Sequence, residues 1–161
     1  MGSRFLNRES DTTKMILGKE IEHFKTQIVL KNRETSLPIR LQAYERMALF
    51  CARIELGGLI LRTHAAGMRT GELKMYLIGT IEEEFGHNVT QQVYISDDLW
   101  NLILLSKTEA INIIKMVAKT AGDDSPSQAF IDALVKYTQE EAQQGYIQAQ
   151  QGIKKEVSLL F

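Results

Sequence analysis

The chain has 161 residues, 44% hydrophobic and 24% charged, with a net charge of −1 at pH 7 and one cysteine. That length suffices for one hydrophobic core, and the composition excludes a disordered or collagen-like chain. The charge balance argues against nucleic acid, which is held by a basic surface, and a lone cysteine excludes an internal disulfide and a multi-cysteine zinc site.

A reducing, cytoplasmic setting is expected. No apolar run approaches the roughly 20 residues that span a bilayer, and Leu6 stands where an N-myristoylation signal wants Ser or Thr. Residues 1–13 are polar and without pattern and are expected to fray; residues 14–157 are expected to form a single helical domain. From Met15 to Lys31, Leu17, Ile21, Phe24 and Ile28 make one helical stripe among Lys, Glu and Gln. Such a face suits a bundle edge, a second copy or a membrane surface. Its polar side is mixed rather than basic, which favours core or partner packing.

Pro38 fits the first turn of a helix, so a helix is expected to start at Leu37. Leu41, Tyr44, Ala48 and Cys51, with Met47, Phe50 and Ile54, give it a wide apolar face central to the core. Gly57-Gly58 is expected to stop it. Leu59 to Arg62 is apolar and without a definite state, and Ala65 to Arg69 reads as a loop around Gly67. Thr70 then caps a helix with Glu72 in its first turn, and Leu73, Leu77 and Ile81, beside Tyr76 and Phe85, carry it to about His87.

Thr90 to Ile95 reads as a bridge, briefly extended at Val93 to Ile95. Ser96, Asp97 and Asp98 open a helix that Leu99, Leu102, Ile103, Ala110, Ile113, Ile114 and Val117 continue to about Thr120, with Gly122 ending it. Ser125-Pro126-Ser127-Gln128 has the pattern of a capping box with proline at the first helical position. The last helix carries Phe130, Leu134 and Tyr137, then turns Gln-rich, so its tail is expected to be peripheral. The sum is an all-α protein of about five helices in an antiparallel, bundle-like packing.

No phosphate loop, HExxH, CxxC or nucleophile elbow is present. Glu20-x-x-His23 and Glu84-x-x-His87 each put a carboxylate and an imidazole one turn apart, the spacing used in di-metal bundles. Glu45 with Glu109 or Glu141 would complete such a site. A solvated charged face is the plainer reading, and no cofactor is expected. His87, Asn88, Gln91 and Gln92 form a polar junction that either caps helix ends or meets a ligand. His64 reads as solvated, Cys51 as a buried inert thiol and Trp100 as a core anchor.

Arg46 and Arg53 share a helix face, with Arg62 and Arg69 following, and read as surface charge or an arginine-lined partner site. The leading expectation is a non-enzymatic protein-interaction or self-association module using Arg46, Arg53, Arg62, His87, Asn88, Gln91 and Gln92. The alternatives are a metal or small-ligand bundle using Glu20, His23, Glu45, Glu84 and His87, and a peripheral membrane protein using Met15 to Lys31.

The words Leu37-Pro38-Ile39-Arg40-Leu41-Gln42-Ala43-Tyr44-Glu45-Arg46, Gly67-Met68 with Gly71-Glu72-Leu73, His87-Asn88 through Gln91-Gln92, and Tyr94-Ile95-Ser96 resemble an uncharacterised bacterial family, a domain of unknown function. The likeness covers roughly Leu37 to Val117. Many relatives look as though they carry a membrane span before the Leu-Pro start. Met15 to Lys31 is too polar for that here, so no anchor is implied. The resemblance implies a domain and no activity.

Overall fold

The computed structural model describes the backbone from residue 3 to residue 161 and side chains from residue 12 onward. The helices are α1 (Ser3–Ile54), α2 (Leu56–Leu61), α3 (Thr70–Asn88), α4 (Asp97–Ala121), α5 (Ser127–Glu140) and α6 (Gln144–Ser158), with a 3-10 segment at Val89–Tyr94 between α3 and α4. The protein is all-α; of residues 1–13, expected to fray, Met1 and Gly2 lie outside the described residues and the backbone of the rest belongs to α1. Two compact units divide the chain, Met1–Ile39 and Arg40–Phe161.

Pro38 does not start a helix; it lies inside α1. Proline removes one i→i−4 donor, a modest loss where water reaches the backbone, and Glu34, Thr35 and Ser36 before it are all exposed. The division into units falls one residue later, after Ile39.

The glycine pair begins a helix rather than ending one. α1 ends at Ile54, and the Glu55 carboxylate accepts the N–H groups of Gly57 at 2.8 Å and Gly58 at 2.7 Å, capping α2. A Cβ on Gly57 would lie 3.0 Å from that carboxylate, so glycine permits the approach. The Leu56 N–H is buried and donates to Oε1 of Gln143 at 3.0 Å, which ties the α1–α2 corner to the α5–α6 connection.

Three other boundaries differ from expectation. Thr70 is the first residue of α3 rather than its cap; its hydroxyl pairs with that of Ser125 at 2.8 Å, while Glu72 accepts the Arg69 N–H at 2.8 Å. Val93 and Tyr94 are 3-10, and only Ile95 is extended. The Ser125 to Gln128 box does not form: α5 starts at Ser127, Ser125 Oγ donates to the Gly122 carbonyl at 2.7 Å, and Gln128 donates to Asp132 at 2.8 Å. Ser96 caps α4 as expected, accepting the Leu99 N–H at 3.1 Å, and Gly122 ends that helix at φ 83°.

In the second unit the core is built from Tyr44, Met47, Phe50, Cys51 and Ile54 of α1, Leu56 and Leu59 of α2, Leu73, Leu77 and Ile81 of α3, Leu99, Ile103, Ile114 and Val117 of α4, and Phe130 and Leu134 of α5. The tail is not peripheral. After a break at Glu141–Gln143 it re-forms as α6, with Gly145, Ala149 and Ile153 buried. A Cβ on Gly152 would lie 2.8 Å from Leu102 and 3.1 Å from Leu99, so α6 packs against α4 through small residues.

Candidate functional site

The α1 stripe is where structure and sequence diverge most in consequence. Every side chain from Thr12 to Ser36 is exposed. Leu17, Ile21, Phe24 and Ile28 are 56%, 47%, 64% and 45% exposed, and Met15, Ile16, Val29 and Leu30 are open as well. Folded chains rarely leave this much contiguous apolar surface in water, and such patches mark contact sites.

The expected arginine site is engaged within the fold. Arg46 donates to the His87 carbonyl at 2.9 Å, a free acceptor at the end of α3. Arg53 pairs with Glu84 at 2.8 Å, and Arg62 donates to the Arg53 carbonyl at 2.6 Å near the end of α1. Asn88 donates to the Glu84 carbonyl at 2.8 Å. The His87 ring and Gln92 are exposed and Gln91 is half-buried, so the junction offers polar groups to solvent. On α1, exposed Leu49 stands between Arg46 and Arg53 at helical spacing, a small apolar spot framed by two guanidinium groups.

The di-metal expectation finds no assembled site. Among the described residues no group of three or more His, Cys, Asp or Glu is arranged to hold a metal ion. Glu84 is paired with Arg53, and the His23 ring lies 3.1 Å from the Gln27 amide. Glu109 accepts the Gly145 N–H at 2.8 Å, while Glu20, Glu45 and Glu141 are exposed. An open groove of about 890 Å³ lies by Leu61, Met68, Ile131 and Val135, and its charged lining residues are Arg69 and Asp124. Arg69 is already committed to the Asp124 carbonyl at 2.8 Å.

Cys51 is fully buried, and burial pushes its thiol up to about 12, so it is protonated and inert at neutral pH. Trp100 stacks on Phe85 with centroids 5.6 Å apart, an anchor within the fold.

Sequence reasoning missed a polar chain. Arg40 donates to the Tyr44 hydroxyl at 3.1 Å, that hydroxyl donates to Glu156 at 2.9 Å, and the Ser96 hydroxyl donates to the other Glu156 oxygen. The Arg40–Tyr44 half shows as an i, i+4 pair; Glu156 lies 112 residues beyond Tyr44 with no local signal. Burial and then the Glu156 carboxylate raise the Tyr44 pKa above its ordinary value, opposed by Arg40. Tyr44→Phe is therefore expected to cost about 1.5–3 kcal/mol at pH 7, the usual worth of a hydrogen bond to a charged group. The bond's contribution is complete below pH ~10 and lost as pH rises through the folded pKa. The gap between the two proteins in urea midpoint should accordingly narrow above pH ~10; a constant gap would remove the phenol from the account.

Three of the residue words that suggested a family are linked in space, and the Gly67 to Leu73 word makes its contacts elsewhere. Arg40, Tyr44 and Arg46 from the first reach Glu156 and His87, and Ser96 from the last reaches Glu156. The Gly67 to Leu73 word clasps the α4–α5 connection, through Thr70 N–H to Ser125 at 2.9 Å, Gly71 N–H to Asp123 at 2.9 Å and Ser127 N–H to Met68 at 3.1 Å. These words contribute hydrogen bonds that join separate helices of the unit Arg40–Phe161.

The helices and their connections define an all-α protein. The chain belongs to DUF7935, a family of unknown function, whose model matches residues 10–160. No curated protein and no solved structure matches it. No described helix is long and apolar enough to cross a membrane.

Proposed function

We propose that this protein is a helical protein-interaction or self-association module whose contact surface is the apolar face of α1 between residues 12 and 36. The observation that carries the reading is the exposure of Leu17, Ile21, Phe24 and Ile28 on a helix segment whose own unit contains no other element to cover them. A second contact surface is supported by exposed Leu49 between Arg46 and Arg53, continuing toward Arg62 and the His87, Asn88, Gln91 and Gln92 junction. The single buried thiol suits a reducing, cytoplasmic setting.

The test is purification of the full chain at native level from its own cells, identifying what stays bound and its stoichiometry. Ile21→Asp with Ile28→Asp is expected to lose the bound species at unchanged helicity of the unit Arg40–Phe161, because the stripe covers no other described element of its own unit. Arg46→Ala with Arg53→Ala tests the second surface in the same way. Retention of every bound species by both variants would overturn the proposal.

A further inference from the structure

The α1 stripe has the periodicity of a coiled-coil seam. Leu17, Ile21, Phe24 and Ile28 are spaced four, three and four, which puts Ile21 and Ile28 at heptad positions a and Leu17 and Phe24 at positions d. β-Branched residues at a with Leu at d favour two parallel strands, a pattern that Ile21, Ile28 and Leu17 follow while Phe24 puts an aromatic ring at the second d position. The same register places Glu20 and Gln27 at g and Lys25 and Asn32 at e. In a parallel, in-register pair each g residue faces the e residue five positions on in the other helix. Glu20 then meets Lys25 of the second copy and Gln27 meets Asn32, each twice by symmetry. An antiparallel pair sets Glu20 beside Gln27 and Lys25 beside Gly18, with no opposite charges matched. Among the described residues Lys25 pairs with Glu22, at 3.8 Å with both side chains mostly exposed, so its charge is available to a partner.

We infer that the face of α1 around Leu17 to Ile28 is covered by the same face of a second copy of this chain, in a parallel two-stranded coiled coil held in register by Glu20–Lys25 and Gln27–Asn32 contacts. This rests on the interaction reading above and supplies its partner. Lys14 and Lys31 occupy the next a and d positions and bound the seam, so its apolar part is four residues per helix. An interface that short makes a weak, reversible dimer, and Met15, Ile16, Val29 and Leu30 stay outside it.

The experiment is sedimentation equilibrium of the full chain up to about 100 µM, a range suited to a short two-stranded seam. The mass should approach twice the 18.3 kDa of one chain. Ile21→Asp with Ile28→Asp should return it to one chain with helical circular dichroism of the folded unit retained. Glu20→Lys should raise the dimer Kd about ten-fold, and adding Lys25→Glu to the same chain should restore it, since two exposed pairs change from attraction to repulsion and back. Ile21→Cys should give a disulfide-linked dimer under a mild copper oxidant, because a positions face each other only in a parallel register. Cys51, buried and protonated, leaves that readout clean.

A single-chain mass throughout, a three-chain mass, a dimer indifferent to the aspartates, or no cross-link through the introduced thiol would each overturn the inference. If the wild-type chain is monomeric yet the aspartate variant loses a different bound protein, the partner is wrong and the contact face stands. If it is monomeric and instead floats with anionic phosphatidylserine vesicles through this face, the occupant is lipid and both readings fail.

Discussion

Phe50→Ala is expected to lower the unfolding free energy by about 3–5 kcal/mol, the usual cost of deleting a fully buried aromatic ring. Phe50 is 1% exposed and lies with its ring centroid 6.0 Å from that of Phe85, tilted at 59°. Phe85 in turn stacks on Trp100, and the Lys107 ammonium sits 4.1 Å from the Phe85 centroid while pairing with Glu82 at 2.6 Å. Phe50 of α1 thus meets Phe85 of α3, which is itself stacked on Trp100 of α4, and the loss of Phe50 leaves a cavity beside that stack. Against a domain stability of about 5–15 kcal/mol, the variant should be near its threshold at 37 °C. Phe50→Leu, which keeps most of the volume, should cost about 1.5 kcal/mol or less. Urea titration followed by the fluorescence of Trp100 measures both. A loss below about 1 kcal/mol for the alanine variant would mean that the site collapses freely and that the ring is not central.

The helices of this protein were legible where large apolar residues recur, and illegible where packing depends on absent side chains. Leu73, Leu77 and Ile81, and Leu99, Ile103, Ile114 and Val117, were readable because their periodicity is their burial. α6 was not, because its buried face is Gly145, Ala149 and Ile153, and a run of Gly, Ala and Gln looks weakly apolar even where it packs most closely. The glycine pair misled for a related reason: Gly57 and Gly58 signal a break, and only the carboxylate of Glu55 decides that they begin a helix. Pro38 misled because the sequence does not show that water reaches the surrounding backbone. The apolar stripe from Leu17 to Ile28 was fully visible. Its lack of cover was not, since a stripe facing a core and a stripe facing solvent have the same spacing. The arginines were visible as charge, but the acceptors of Arg46 and Arg62 are the carbonyls of His87 and Arg53, which carry no sequence signature.

The same substitution should have opposite signs on two helices. At Gly145 an added Cβ would lie 2.8 Å from Oε2 of Glu109 and 3.0 Å from the Cα of Ser106. The carboxylate can swing away, though only by giving up the Gly145 N–H that it accepts at 2.8 Å; the Ser106 backbone cannot move without moving α4. Gly145→Ala should therefore destabilise by about 1–3 kcal/mol, the range for overpacking a tight contact. At Gly79, inside α3, nothing lies within 4 Å of the added Cβ, and the residue is exposed. Gly79→Ala should stabilise by about 0.5–1 kcal/mol through backbone entropy alone. Because both changes add one methyl group to a helical glycine, helix propensity cannot explain a difference in sign; only the closeness of α6 to α4 can. Thermal unfolding of the two variants beside the parent decides it. A Gly145→Ala protein as stable as Gly79→Ala would show that the two helices lie further apart than the contacts at Ser106 and Leu102 require, and that the C-terminal helix adds less to the core than its buried face implies.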